Sequence, residues 1–146
     1  MKTAVLIALV FLTTARPLFA ADLITESEAG LPNVERNEIR LRGITRGPAI
    51  RLISPRTDRD PVQCPFDLRL EFVAYGNAKI DPETVKFLYD KNPPVNLIER
   101  VRSGVSERGI VVIGAQVPAG RHTLIITVTD TDGRSTTQAF DLTVVP

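Results

Sequence analysis

Between Phe66 and Phe72 every even position is apolar and every odd position is charged: Phe66-Asp67-Leu68-Arg69-Leu70-Glu71-Phe72. Successive side chains of a strand point to opposite faces, whereas a helix would scatter these residues around its circumference. The stretch therefore reads as a strand with one face in a core and the other in water. A slip of one residue would bury three charges, so its register is strongly specified.

The same texture runs from Ile50 to the end of the chain, as short alternating runs broken by Pro, Gly, Asn and Asp. Val85, Phe87 and Tyr89 form a second inward set, opposed by Lys86 and Leu88. Val95, Leu97 and the Ile110-Val111-Val112-Ile113 run read as further strands, with a break at Asn92-Pro93-Pro94 where a strand cannot continue. Leu124, Ile126 and Val128 alternate with threonines, and Phe140, Leu142 and Val144 alternate with Asp141 and Thr143. A two-residue Asp132-Gly133 turn would leave Phe140 on the outer face. A three-residue loop, Thr131-Asp132-Gly133 with Gly133 left-handed, instead sets Leu124 opposite Phe140 with both inward. Burial favours the longer loop. About seven strands at this spacing predict an all-β, two-sheet sandwich.

The N-terminus has a different character. Lys2 precedes an uncharged stretch from residue 3 to 15, and Pro17-Leu18-Phe19-Ala20-Ala21 offers small residues for a signal peptidase. Thirteen uncharged residues fall short of the roughly 20 that span a bilayer, so residues 1–20 read as a cleaved export signal. The cut is placed after Ala20, with Ala21 as the alternative, and no transmembrane segment is expected in the mature chain. Residues 21–43 read as a flexible lead-in with a short helix as the alternative, since from Asp22 to about Glu38 the chain is polar, mostly acidic in its charges and broken by Gly30 and Pro32. Residues 44–146 form the folded domain, large enough for a hydrophobic core.

A resemblance to a family rests on Val117-Pro118-Ala119-Gly120-Arg121-His122-Thr123-Leu124-Ile125-Ile126-Thr127-Val128-Thr129-Asp130-Thr131-Asp132-Gly133-Arg134. This stretch resembles the penultimate strand and final hairpin of bacterial immunoglobulin-like domains. Ile80-Asp81-Pro82-Glu83-Thr84-Val85 is similar to their loop into the third strand. The resemblance covers roughly residues 44 to 146 and implies an immunoglobulin-like β-sandwich of about seven antiparallel strands. The cysteine pair and core Trp of antibody domains are missing. Such modules serve as spacers, adhesin segments and enzyme appendages alike, so fold by itself does not assign function.

Composition narrows the chemistry. A single Cys rules out an internal disulfide framework and any multi-thiolate metal site, and a single His rules out a multi-histidine centre. His122 is the one side chain with a resting pKa near neutrality, so ordinary acid–base or nucleophilic catalysis would need it. Its parity puts it inward beside Leu124, packed at the end of the sandwich and bonded to a loop carbonyl. No nucleophile motif accompanies it. Asp130-Thr131-Asp132-Gly133 resembles the start of a calcium loop, with Asp81 or Asp90 as possible additional ligands. Arg134 and Ser135 stand where further oxygen donors belong, and turn chemistry accounts for all four residues. Cys64 shares the parity of Phe66 and reads as a buried small hydrophobe, with an exposed thiol that could pair between chains as the alternative. With no Trp and only Tyr75 and Tyr89, the chain is poorly supplied with sugar-stacking platforms. No cofactor is expected.

Removing Lys2 and Arg16 takes the basic count from 18 to 16 against 17 acids, a net charge of about −1 that gives no reason to expect nucleic acid. The remaining signal is local. Arg40, Arg42, Arg46, Arg51 and Arg56 stand between Glu38 and Asp58 with no acidic residue among them. An extended strip of this kind is either a solvated face or a contact for an anionic partner. The expectation is an exported, non-catalytic binding or spacer module in a bacterial cell-envelope assembly, periplasmic or secreted. Its partner would be another envelope protein or an anionic envelope component. A small periplasmic ligand-binding module for sugar or metal, or an enzyme using His122, is the alternative.

Overall fold

The computed structural model describes residues 22–35, 46–57 and 61–146. The proposed export signal, Arg40 and Arg42 lie outside the described residues. Nine strands are present among the described residues: β1 (Ala49–Ser54), β2 (Val62–Gln63), β3 (Phe66–Val73), β4 (Lys86–Tyr89), β5 (Val95–Asn96), β6 (Val105–Ser106), β7 (Gly109–Ala115), β8 (Gly120–Thr129) and β9 (Ser135–Val145). They form a four-stranded sheet in the order β1-β3-β7-β6 and a five-stranded sheet in the order β2-β9-β8-β4-β5. The protein is thus mostly β. The strand count exceeds the expected seven because β2 and β6 are two residues long, too short to show alternation in sequence, while β5 covers only the first part of the strand expected at Val95 and Leu97. One pairing, β2 with β9, is parallel rather than antiparallel.

Phasing follows side-chain chemistry. Phe66, Leu68, Leu70 and Phe72 are buried on the inner side of β3, whereas Arg69 and Glu71 face water. In β7, Ile110 and Val112 are buried while Val111 and Ile113 are exposed. Val85, Phe87 and Tyr89 are buried from the other sheet, and both sheets contribute to one hydrophobic core. The β8–β9 hairpin has the three-residue loop: Leu124 pairs with Phe140, and Gly133 has a φ of 79°, left-handed backbone that favours glycine. Phe140 is only half-buried, so it borders the core rather than filling it. The outer face of this hairpin is laced by hydroxyls, with Thr127 Oγ1 to Thr137 Oγ1 at 2.8 Å and Thr129 Oγ1 to Ser135 Oγ at 2.7 Å. Cross-strand pairs of this kind each contribute about 0.2 to 1 kcal/mol.

Leu97 is fully buried but is not in a strand. Its N–H still donates to the Phe87 carbonyl at 2.8 Å, continuing the β4 pairing by one residue. The Asn96 side chain then accepts from the Ile98 N–H at 3.0 Å and turns the chain into a one-turn helix, α2 (Ile98–Val101). This side chain competes with the ladder for the backbone, a role natural to Asn.

The segment expected to be a flexible lead-in is different over residues 22–35. Leu23 and Ile24 are 1% and 2% exposed, within the core. Thr25 caps a short helix, α1 (Glu26–Ala29), in a capping box with Glu28. Two cations from the folded body hold the segment. Arg100 donates to the Leu23 carbonyl at 2.9 Å and forks onto both carboxylate oxygens of Glu28. These bonds hold the Glu28 carboxyl down to about 2, against the partial burial that raises it. Lys91 Nζ donates to the carbonyls of Ala29 and Leu31 and to Asn33 Oδ1, at 2.9, 3.0 and 2.7 Å. All three ammonium protons are satisfied, as a buried lysine requires. Backbone carbonyls, the Glu28 and Asn33 side chains and the buried Leu23 and Ile24 together hold the segment to the body, so its polar composition does not mean looseness. Among the described residues no helix is long and apolar enough to cross a membrane.

Candidate functional site

His122 lies at the start of β8 and is 3% exposed. Its Nε2 is 2.8 Å from the Pro118 carbonyl, which can only accept, so Nε2 carries the proton. Nδ1 is then the acceptor for the Tyr89 hydroxyl at 2.8 Å, which fixes a neutral tautomer. Burial lowers the His122 pKa, and the nearby Lys91 charge acts in the same direction, while the Pro118 hydrogen bond partly opposes both. Lys91 itself lies 5.3 Å from the centre of the Tyr89 ring. Both ring nitrogens are spent on internal bonds that join the β8 entry to β4, and the ring is closed off from solvent. The predicted loop carbonyl is present. Tyr89 is an additional partner that parity alone could not name.

A pH dependence follows from this burial. The folded pKa is depressed, so the unfolded chain binds the proton first as pH falls through about 6.5. Stability should be fully present above that pH and decline below it. His122→Gln is expected to be less stable at neutral pH and to lose the part of the pH dependence centred there. Urea denaturation at half-unit steps between pH 8 and 5 measures both. An unchanged slope in the variant would contradict the assignment.

The Asp130–Arg134 turn is closed by its own side chains and tied to the neighbouring loop, with the Thr131 N–H donating to the Lys79 carbonyl at 2.8 Å and Arg134 Nη2 to the Tyr75 carbonyl at 3.3 Å. Asp130 Oδ1 accepts from the N–H groups of Asp132 and Arg134 at 3.0 and 2.9 Å, and Oδ2 pairs with Arg134 Nε at 2.9 Å. Burial raises the Asp130 pKa, but the Arg134 N–H and guanidinium, with the Asp132 N–H, outweigh it and hold the carboxyl below its ordinary value. Asp81, the other loop acid, accepts from the Glu83 N–H at 3.0 Å. No group of three or more His, Cys, Asp or Glu side chains among the described residues could hold a metal ion. Cys64 is half-buried rather than fully buried, with its sulfur accepting from the Val117 N–H at 3.2 Å and donating to the Ala115 carbonyl at 3.4 Å. Of the two tyrosines, Tyr75 is exposed and Tyr89 buried, and the two do not form a shared platform.

The described part of the arginine strip converges on β1. Arg46 is exposed ahead of the strand, Arg51 lies at its middle, and Arg56 is exposed just beyond its end. Arg51 faces Glu71 of β3 at 3.5 Å, with the two side chains 62% and 47% exposed. A pair this open to water contributes little to stability. Among the described residues, neither Arg46 nor Arg56 has a carboxylate partner.

β1 is also an edge. It pairs with β3 on one side, and its other side is unpaired among the described residues. The chain enters it tightly against β9, since a Cβ on Gly47 would fall 2.5 Å from Thr136 Oγ1 and 2.8 Å from the Ser135 carbonyl oxygen. Beyond this approach the two sheets part, leaving an open cleft of about 610 Å³. Leu52 and Phe140, both half-buried, give it an apolar wall, while Arg51, Arg56 and Gln138 form its polar margin. A bulge between Leu52 and Ser54 accompanies the outward placement of Ile53, which is 50% exposed. The sequence showed the strip's charge. It could not show that Arg51 lies on a sheet edge above a cleft, with Arg46 and Arg56 at either end of the strand, because that depends on which strands are neighbours. Comparison with family models, with curated proteins and with solved structures finds no match to this chain.

Proposed function

We propose that this protein is an exported, non-catalytic immunoglobulin-like domain that acts as a binding or spacer module in a bacterial cell-envelope assembly. The observation that carries the reading is the contrast between His122 and β1. The most versatile chemical group is buried with both nitrogens engaged, whereas an arginine-bearing strand edge is unpaired among the described residues. General acid–base work needs a group within reach of substrate, and binding needs an accessible, unsatisfied surface. The leader-like first 20 residues support export, and the two sheets around one core are compatible with the immunoglobulin-like arrangement.

Fractionation of cells expressing the full chain tests this reading. The expected result is a mature chain beginning at Ala21 in the periplasmic or extracellular fraction and retained on envelope material at low salt. Retention should fall steeply between about 0.01 M and 0.15 M salt, as the Debye length shortens from about 30 to about 8 Å. An Arg40, Arg42, Arg46, Arg51→Gln variant should be retained less. An uncleaved chain confined to the cytoplasm would overturn the proposal.

A further inference from the structure

We infer that the open edge of β1, with the cleft between β1 and β9, receives an extended acidic segment of a partner protein as an added strand. This inference rests on the binding-module reading and names the chemistry of the partner.

Three observations on the same stretch lead to it. First, β1 exposes an unpaired backbone ladder over Ala49–Ser54, and β9 is also unpaired on its outer side before Val144, where β2 joins it, among the described residues. Alternating N–H and C=O groups along an edge are fully matched by another peptide backbone, and a lipid headgroup or a polysaccharide has no such ladder to offer. Second, the cleft beneath the edge is apolar where an added strand would turn alternate side chains inward, against Leu52 and Phe140. Third, arginines outnumber carboxylates along this edge, Glu71 opposite Arg51 being the one carboxylate paired to it among the described residues. Arg46, Arg51 and Arg56 recur every five residues, and the carboxylate facing Arg51 is held loosely in water. Antiparallel pairing with a second copy of β1 would set arginines against arginines, so charge selects an acidic partner over self-association. The occupant is therefore an extended segment that alternates small apolar residues with Glu or Asp.

The test uses the mature wild-type chain and a synthetic nine-residue peptide of alternating Val and Glu. Comparison probes are the same peptide with Lys for Glu, the same peptide N-methylated at alternate amides, and vesicles of phosphatidylglycerol. The Val/Glu peptide should bind and should slow hydrogen exchange at amides within Ala49–Leu52. The Lys and N-methylated forms should bind at least tenfold more weakly. Arg51→Gln and Arg56→Glu, both changes of exposed side chains, should each weaken the Val/Glu peptide several-fold without shifting the melting temperature materially. Equal binding of the N-methylated peptide would reduce the site to a charged surface and overturn the added strand. Protection elsewhere on the molecule, no peptide binding, or binding of vesicles alone would also overturn it. A chain that is exported and retained on the envelope, yet fails with the peptides, refutes this inference while leaving the module reading intact.

Discussion

Truncating Ile126 to alanine is expected to lower the unfolding free energy by about 2 to 5 kcal/mol, the range for removing buried aliphatic bulk and leaving a cavity. Ile126 is fully buried in the middle of β8, paired with Gln138 on one side and Phe87 on the other. Its neighbours along the inner face, Leu124 and Val128, are 2% and 0% exposed, so the space cannot be refilled from solvent-facing side chains without distorting the central strand of the larger sheet. Ile113→Ala is the matched control. That side chain lies on a strand as well but is 64% exposed, and its loss should cost less than about 1 kcal/mol, the span of strand propensity. Urea denaturation of both variants decides the phasing. A loss at Ile126 no larger than that at Ile113 would contradict the phasing, and a reversed order would mean that the inner and outer faces have been exchanged.

How far such phasing could be read from sequence depended on strand length. In β3, β4, β8 and β9 the apolar period runs over four or more residues, so parity alone identified the inward set. The hairpin loop was legible for the same reason, because only the three-residue version keeps Leu124 and Phe140 on one face. Two-residue strands carry no period, which is why β2 and β6 and the parallel β2–β9 pairing were invisible, and why the strand read at Val95 and Leu97 shrank to β5. Lys91 is an instructive case. It continues the inward parity of Phe87 and Tyr89, yet its charge argued against burial, and the carbonyls that satisfy it come from residues about 60 positions away. The Arg100–Glu28 fork likewise spans 72 residues and leaves no local signature.

The candidate site was legible to a similar depth. Charge along residues 40–56 is a linear property and could be counted directly. Edge position, the cleft under Leu52 and the loose partnership with Glu71 are properties of strand order, which alternation does not encode. His122 shows the converse. Its burial and its loop carbonyl followed from parity and position, while the Tyr89 partner required the β4–β8 register that sets Tyr89 opposite Leu124.

Leu23→Ala should be nearly as damaging as the change at Ile126, with an expected loss of about 2 to 5 kcal/mol. This outcome separates an integral segment from a loose lead-in, because the side chain is 1% exposed although it stands in a polar sequence. The backbone around it is also committed: its N–H donates to the Gln116 carbonyl at 2.9 Å, and its own carbonyl accepts from Arg100. Removing the side chain therefore leaves a cavity whose walls are pinned by hydrogen bonds and by the Glu28–Arg100 pair, which limits collapse into the space. Val34→Ala, in the same segment but at a side chain 41% exposed, should change stability by no more than about 0.5 kcal/mol. Both variants should unfold in a single transition with an unchanged denaturant slope, since the segment shares the core of the two sheets rather than forming a unit of its own. A loss below about 0.5 kcal/mol at Leu23, or a separate early transition, would return residues 22–35 to the status of an appended arm.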